Sequence, residues 1–189
     1  MWQSAGVTPV ATALLLTGAQ ASGKTTVGRA LATSAARGVF LDGDVFWQAV
    51  VSGRADMDAQ PTAEAQLQLQ LRYRALAAAG RLYAEAGFFT VLCDNAYGDA
   101  VRFIAEAIAP VRLLTVALVP SPEALAARER LRGSAAYDGW LASGDELLDT
   151  LRTFDSWVRD TPADLHHDST GETPERTAAA IFEWVQGRL

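Results

Sequence analysis

The chain has 189 residues, of which 50% are hydrophobic, and its formal net charge at pH 7 is −6. These values predict one folded domain over residues 1–189, and the acidic balance without any basic run argues against nucleic acid as a partner. The single cysteine, Cys93, excludes a disulfide within the chain, and no segment is typical of a signal peptide or a membrane span, so we expect a cytoplasmic protein without a membrane partner.

The first predicted strand, Val10–Leu16, leads into a glycine-rich loop and then into a helix predicted over Thr25–Ala36. The loop matches G-x-x-x-x-G-K-[ST] in every fixed position, and a strand before it and a helix after it form the context in which this pattern binds nucleotide phosphates. We therefore expect nucleotide binding by Gly18, Ala19, Gln20, Ala21, Ser22, Gly23, Lys24, Thr25 and Thr26.

The residue types of this loop suit the phosphate chain of a nucleotide. Glycines permit backbone angles that turn the N–H groups inward as an anion nest, and the next helix points its positive dipole end at the same place. Lys24, the only lysine beside fifteen arginines, would bring its charge to the β- and γ-phosphates and is predicted to be catalytic. Thr25 would offer its hydroxyl to Mg²⁺.

The second predicted strand, Val39–Leu41, ends in an Asp-Gly-Asp sequence that supplies Asp42 and Asp44. Ligands of doubly wound sheets bind at the carboxyl ends of the strands, so these acids should face the glycine loop. We expect Asp42 to contact the water shell of Mg²⁺ near Thr25, and Asp44 to bind the substrate and accept its hydroxyl proton. The alternative for Asp44 is a cap on the helix that follows. Trp47 is a candidate for binding a ring-bearing acceptor.

The middle of the chain combines a loop over Gly53–Pro61, a long helix over Thr62–Ala86 and a third strand over Phe88–Leu92. The helix is predicted although Leu67–Leu71 alternates like a strand, because the surrounding residues favour helix. Three candidate substrate-binding residues follow the third strand, namely Asp94, Asn95 and Tyr97. For Asp94, a role beside the metal and a hydrogen bond to substrate both stay open.

The fourth predicted strand, Val111–Val119, precedes a helix that begins at Ser121. On this helix Arg128 and Arg132 are four residues apart and share a face, so they could stabilise the transferring phosphoryl group. The alternative is a solvated helix face. We expect residues 128–140, including a loop over Gly133–Gly139, to form a mobile lid.

The fifth predicted strand, Ala163–His166, is followed by a last helix that begins at Thr173. Strands that alternate with helices predict an α/β fold with a parallel sheet and helices on both faces.

The glycine loop followed by Leu-Asp-Gly-Asp at 41–44 resembles the small P-loop kinases, such as gluconate, adenylylsulfate and shikimate kinases. Chloramphenicol phosphotransferase has its proposed base at the position that matches Asp44. The resemblance implies a three-layer fold with a five-stranded parallel sheet in the order 2-3-1-4-5, and it implies ATP and Mg²⁺ as cofactors. It also implies that Arg128 stacks on adenine and that three residues after the fifth strand contact it, namely Asp168, Ser169 and Thr170.

The apolar segment Val45-Phe46-Trp47 after Asp44 departs from gluconate kinase and favours a larger, less charged acceptor, as in the chloramphenicol phosphotransferase-like kinases. The sequence thus predicts an ATP-dependent kinase that transfers the γ-phosphoryl group to a hydroxyl of a small molecule. Two alternatives stay open, a nucleotide-binding sensor with little turnover and a nucleoside or nucleotide kinase. The sequence predicts neither the acceptor's identity nor the oligomeric state.

Overall fold

The computed structural model describes residues 10–133, 137–141 and 147–189. Its strands are β1 (Thr12–Gly18), β2 (Gly38–Asp42), β3 (Phe89–Cys93), β4 (Arg112–Leu118) and β5 (Leu165–His167). Its α-helices are α1 (Lys24–Thr33), α2 (Asp44–Gln48), α3 (Ala63–Glu85), α4 (Asp99–Ile108), α5 (Pro122–Arg132), α6 (Leu147–Arg159) and α7 (Pro174–Gln186), and a one-turn 3-10 helix spans Asp138–Trp140. Part of the predicted lid, residues 134–136, lies outside the described residues.

The five strands form one parallel sheet in the order β2-β3-β1-β4-β5. Strand β1 is central, and its Leu14 lies opposite Val91 of β3 on one side and Leu114 of β4 on the other. This topology confirms the α/β fold and the strand order that the kinase resemblance implied. The glycine loop and the ends of β2 and β3 therefore lie along one edge of the sheet.

Alternate residues of β1 pack on opposite faces of the sheet, which explains why its hydrophobic run is continuous. Ala13 and Leu15 pack with buried residues of α3 and α4, whereas Leu14 and Leu16 pack with those of α1 and α7. Helices α5 and α6 form a third buried cluster with the end of β4. The sheet is thus covered on both faces, and its carboxyl edge is left to the loops.

The long helix α3 begins at Ala63, one residue after the predicted start, because the hydroxyl of Thr62 caps it by accepting a hydrogen bond from the backbone N–H of Ala65. The strand-like alternation at residues 67–71 is overridden by helical spacing of the residues that face the sheet, such as Tyr73, Leu76 and Gly80. Gly80 lies against Leu92, where a β-carbon would be 2.7 Å from a leucine methyl. The helix therefore packs closely on β3.

Element boundaries differ from the predictions by one to three residues. Strand β1 spans Thr12–Gly18 instead of Val10–Leu16, because Thr17 and Gly18 continue the pairing with β4. Helix α1 ends at Thr33, three residues early, where the hydroxyl of Ser34 donates to the carbonyl of Ala30. No described helix is long and apolar enough to cross a membrane.

Candidate active site

The glycine loop between β1 and α1 is held in a conformation that its residue types explain. Gly18 has a φ angle of 149° and Gly23 one of 96°, and a β-carbon on Gly18 would lie 2.8 Å from the carbonyl oxygen of Leu118. Ala21 has a φ angle of 62°, which is uncommon for a residue with a side chain and often marks a functional site. These angles bend the chain sharply into α1.

Lys24 is the first residue of α1 and is buried beneath the loop. Its Nζ donates hydrogen bonds to the carbonyls of Gly18 at 2.8 Å and Ala19 at 2.7 Å. Burial lowers the pKa of the ammonium group, against the opposing effect of nearby groups such as Cys93 and Asp94. The lysine is therefore a confined positive charge at the base of the loop.

Thr25 and Asp42 supply oxygen atoms beside the start of α1. The Thr25 hydroxyl donates to Oδ2 of Asp42 at 3.3 Å, and Oδ1 of Asp42 accepts the N–H of Asp44 at 3.2 Å. The described residues contain no cluster of three or more His, Cys, Asp or Glu side chains that could hold a metal ion. A hydroxyl and one carboxylate nevertheless suit Mg²⁺, which keeps waters and shares phosphate oxygens in nucleotide sites.

A largely buried arginine, Arg72, connects the carboxylates of Asp94 and Asp44. Arg72 of α3 forms a two-pronged ion pair with the buried carboxylate of Asp94, and its Nη1 lies 3.4 Å from Oδ1 of Asp44. Burial disfavours the guanidinium charge, but the hydrogen-bonded Asp94 raises the pKa of Arg72 above its usual value. Both oxygens of Asp94 are thus occupied by Arg72, and Oδ1 also accepts the N–H of Asn95 at 2.6 Å.

Gly43 permits this arrangement at the end of β2. A β-carbon at this position would collide with the carboxylate of Asp94. Gly43 occupies the N-cap position of α2, so Asp44 is not the cap that the alternative proposed. Asp44 is instead the first residue of α2, with 53% of its side chain exposed.

Two cavities meet at Asp44. The first, of about 340 Å³, contains the start of α1, the acids at the strand ends and both predicted lid arginines. The second, of about 670 Å³, extends towards α3 and α6. Four residues line both cavities, namely Gln20, Asp44, Arg72 and Asn95. A group bound in one cavity would therefore reach a group bound in the other beside the Asp44 carboxylate.

The first cavity has the properties of an anion site. Its described cations are Lys24, Arg72, Arg128 and Arg132. The N–H groups in the first turn of α1 have no partner within the helix and lie at the same cavity through Gly23, Thr25 and Thr26. Cys93 lies beside them, and burial raises the pKa of its thiol to about 12, so it is a buried apolar residue rather than a reactive one.

Of the two predicted lid arginines, Arg128 makes the defined contacts. Its guanidinium donates to the carbonyl of Ser22 at 3.2 Å and to the carbonyl of Ser169 at 2.8 Å. It therefore connects the glycine loop to the segment after β5. Arg132 is exposed one turn later and lines the first cavity.

The three residues after β5, Asp168, Ser169 and Thr170, make hydrogen bonds within and around their own segment and are not among the residues that line either cavity. The carboxylate of Asp168 accepts hydrogen bonds from the N–H and hydroxyl of Thr170, which lower its pKa. The hydroxyl of Thr170 accepts the N–H of Ser121 at 2.8 Å. Ser169 is buried, and its carbonyl receives Arg128. Their predicted adenine contact stays a prediction.

Seven aromatic residues lie in the described lining of the second cavity. Trp140 lies 5.1 Å from Phe154 and 5.9 Å from Trp157 between ring centroids, and Phe154 lies 4.9 Å from Trp157. The predicted substrate-binding residues Trp47 and Tyr97 line the same cavity. The remaining rings of the wall are Tyr73 and Tyr137.

The described end of the predicted lid contacts the loops around this cavity. The hydroxyl of Tyr137 donates to the carbonyl of Gln20 in the glycine loop at 2.9 Å. The carbonyl of Gly139 accepts the N–H of Ala59 at 3.2 Å. The 3-10 turn is thus tied both to the glycine loop and to the loop that precedes α3.

Sequence reasoning missed Arg72 and the rings of α6. Arg72 lies on the stripe Ala65, Leu69, Arg72, Leu76, whose spacing of four, three and four residues marks one helix face. A charged residue on an otherwise apolar helix face could have predicted a buried ion pair. Phe154 and Trp157 are three residues apart, but nothing in the sequence indicated that α6 packs beside the second cavity.

A family model described as chloramphenicol phosphotransferase-like protein matches residues 11–186. A comparison with curated proteins gave no match. The family match confirms the predicted resemblance to that group.

Solved structures share the fold at low sequence identity. The APS kinase of Mycobacterium tuberculosis, in complex with AMPPNP and APS, is 15% identical with a TM-score of 0.70, over 95% of this chain and 99% of that one. The shikimate kinase of Acinetobacter baumannii, in complex with shikimate, is 20% identical with a TM-score of 0.64, over 94% of each chain. The tunicamycin resistance protein of Deinococcus radiodurans is 17% identical with a TM-score of 0.66, over 93% of this chain and 95% of that one.

Proposed function

Because the chain belongs to the chloramphenicol phosphotransferase-like protein family and has the fold of small P-loop kinases, we propose that it transfers the γ-phosphoryl group of ATP to a hydroxyl of a small molecule. Family and fold support a small-molecule kinase, and the donor and the hydroxyl acceptor are our inference from the site. The acceptor we propose is ring-bearing, as the aromatic wall of the second cavity suggests.

The observation that supports this function best is the position of Asp44. It lies where the cation-rich cavity meets the aromatic cavity, with half of its side chain accessible. A phosphoryl transfer requires an acceptor group for the substrate proton between a bound triphosphate and a bound alcohol. Asp44 is the carboxylate that lines both spaces within the described part of the chain.

The residues of the first cavity fit a triphosphate with Mg²⁺. The loop from Gly18 to Thr26 would hold the phosphates through its N–H groups, and Lys24 would leave the loop carbonyls for the β- and γ-phosphates. Thr25 and Asp42 would hold Mg²⁺, which neutralises phosphate charge when bound. Arg128 and Arg132 would stabilise the charge of the transferring group from the lid side.

The reaction then follows from the positions of these groups. The acceptor oxygen forms a bond to the γ-phosphorus, the bond from that phosphorus to the β,γ-bridging oxygen breaks, and ADP leaves. The proton of the acceptor hydroxyl passes to the carboxylate of Asp44. Arg72 is a positioning residue in this proposal, since it fixes Asp44 while its own charge is balanced by Asp94.

A product screen tests the proposed function. The purified chain is incubated with labelled ATP, Mg²⁺, a metabolite extract and a panel of ring-bearing alcohols, and mass spectrometry detects any compound that gains a phosphoryl group. We expect such a product with the native chain and none with Lys24→Ala. ATP binding in calorimetry without any product would instead support a nucleotide sensor. A product that is itself a nucleotide would support a nucleotide kinase.

A further inference from the structure

The balance of charge differs between the two cavities, since the described lining of the first has four cationic side chains beside the carboxylates of Asp42, Asp44 and Asp94. The described lining of the second cavity includes three carboxylates, from Asp44, Asp56 and Asp58, and the only cationic side chain in that described lining is Arg72. Arg72 is already engaged, because its guanidinium pairs with Asp94 and Asp44. A carboxylate or phosphate on the acceptor would therefore meet negative charge without a free partner.

Two of these carboxylates belong to the loop that precedes α3. The side chain of Gln68 holds this loop, since its amide donates to the carbonyl of Gly53 at 2.8 Å and its oxygen accepts the N–H of Ala55 at 3.0 Å. Asp58 is half-buried, and its Oδ1 accepts the N–H of Gln60 at 2.8 Å. In the described structure no ion pair forms at Asp58, and that of Asp56 is a long, exposed one with Arg54 at 4.0 Å. The Arg54 guanidinium also lies 4.0 Å from the ring centroid of Trp47, but Arg54 is not among the described residues that line the cavity.

The same loop lies against the ring cluster of the lid and α6. The N–H of Ala59 donates to the carbonyl of Gly139, next to Trp140. Trp140 in turn contacts Phe154 and Trp157 through ring centroids 5.1 Å and 5.9 Å away. Carboxylates and aromatic residues therefore line one space, and this combination can bind organic ammonium groups through Coulomb and cation–π attraction.

We propose that the acceptor is a ring-bearing alcohol that also carries a protonated amine, and that Asp56, Asp58 and the rings of Trp140, Phe154 and Trp157 recognise the ammonium group. This inference rests on the proposed kinase function and specifies its substrate class. The hydroxyl of such an acceptor would lie at Asp44, and the ammonium would lie under the loop that holds Asp58.

Binding of three matched probes tests this inference apart from turnover. The probes are 2-amino-1-phenylethanol, its N-acetyl derivative and mandelate, which share a ring and a hydroxyl and carry a positive, zero and negative charge at neutral pH. Calorimetry with the full chain should show binding of the amine about tenfold more tightly than the N-acetyl compound, and of mandelate more weakly than either. Equal binding of the three probes, or preference for mandelate, would overturn the inference.

Carboxylate variants assign the preference to this cavity. Asp56→Asn with Asp58→Asn removes both charges, and the amide that replaces the Asp58 carboxylate retains an oxygen that can accept the N–H of Gln60. We expect the ratio of the two Kd values, N-acetyl compound to amine, to fall from about ten to about three or less. The Kd of the N-acetyl compound itself should change little. The control is Asp149→Asn, an exposed α6 aspartate outside the cavity lining, which should leave the ratio unchanged. An unchanged ratio in the double variant would contradict the assignment.

The two proposals fail in different ways. If the amine binds preferentially but no probe or extract compound gains a phosphoryl group, the kinase function is wrong and the ammonium site stands. If neutral ring alcohols are phosphorylated and the amine is neither bound nor phosphorylated preferentially, the kinase function stands and the ammonium inference is wrong.

Discussion

At the scale of single residues, the fold holds three carboxylates of the candidate site in different environments. Asp42, Asp44 and Asp94 come from the ends of two adjacent strands, yet Asp94 is fully buried and ion-paired, whereas Asp44 is half exposed. Asp44 is thus accessible to a bound group, whereas both oxygens of Asp94 are engaged by Arg72, and its predicted role beside the metal or the substrate stays a prediction. Residue type and strand position alone do not make this distinction.

Asp44→Asn should reduce turnover of the acceptor found by the product screen about 10²-fold or more, because the amide cannot accept the hydroxyl proton. The affinity for ATP should stay close to that of the native chain. Steady-state kinetics and calorimetry with ATP measure the two effects. The matched control is Asp99→Asn, which also changes an acidic residue in the first turn of a helix but lies outside both cavities. Loss of ATP affinity with turnover retained would place Asp44 on the nucleotide side.

Arg72→Met should lower the free energy of unfolding by about 3–5 kcal/mol, because it leaves the buried carboxylate of Asp94 without a counter-charge. Turnover should also fall, since Asp44 loses the group that fixes it. Chemical denaturation measures the first effect and kinetics the second. Arg74→Met, an exposed position two residues along α3, is the control and should change stability by less than about 0.5 kcal/mol. Similar stability for both variants would contradict the role of the buried pair.

At the scale of elements, the sequence predicted what periodic patterns and motifs encode. Strand β1, the glycine loop and α3 with its Thr62 cap follow from local signals, and all occur close to their predicted bounds. The wall of the second cavity did not follow, because it depends on how α6 packs against α5 and on where the 3-10 turn meets the loop before α3. Such contacts join residues far apart in sequence and have no local signature.

At the scale of elements, we predict that the contact between the predicted lid and the glycine loop affects acceptor binding. Tyr137→Phe removes the hydroxyl that donates to the carbonyl of Gln20 and keeps the ring that packs on Phe154 at 5.2 Å. We expect a higher KM for the acceptor and a loss of stability of about 1 kcal/mol, the usual net contribution of one hydrogen bond. Kinetics and thermal unfolding provide the two values. Tyr83→Phe, on a half-exposed ring at the far end of α3, should change neither. An unaltered KM in Tyr137→Phe would separate the lid from acceptor binding.

At the scale of the whole molecule, the carboxyl edge of the parallel sheet carries two cavities whose linings differ in chemistry. The cation-rich cavity and the aromatic cavity are formed by different elements but share Asp44. The strand order could be inferred from the resemblance to small P-loop kinases. The position of Asp42 and Asp44 could be inferred because they follow a predicted strand. The division into two cavities, which we propose to hold the phosphates and the acceptor, required the three-dimensional packing of α3, α5 and α6.

Nucleotide binding should stabilise the entire domain by mass action. At an ATP concentration about 100 times its Kd, with Mg²⁺ present, the gain is about 2.7 kcal/mol. For a domain of this size that corresponds to a rise in Tm of roughly 5–10 °C. Differential scanning calorimetry measures the shift, and Lys24→Ala should show a much smaller one because the confined charge is absent. An equal shift in Lys24→Ala would mean that the nucleotide binds away from the glycine loop.

A crystal structure with a non-hydrolysable ATP analogue and Mg²⁺ tests the central claim most directly. We predict phosphates on the N–H groups at the start of α1, Lys24 turned from the loop carbonyls towards them, and the carboxylate of Asp44 facing the terminal phosphorus from the aromatic cavity. Phosphates bound at another surface, or an Asp44 side chain directed away from that phosphorus, would contradict the account.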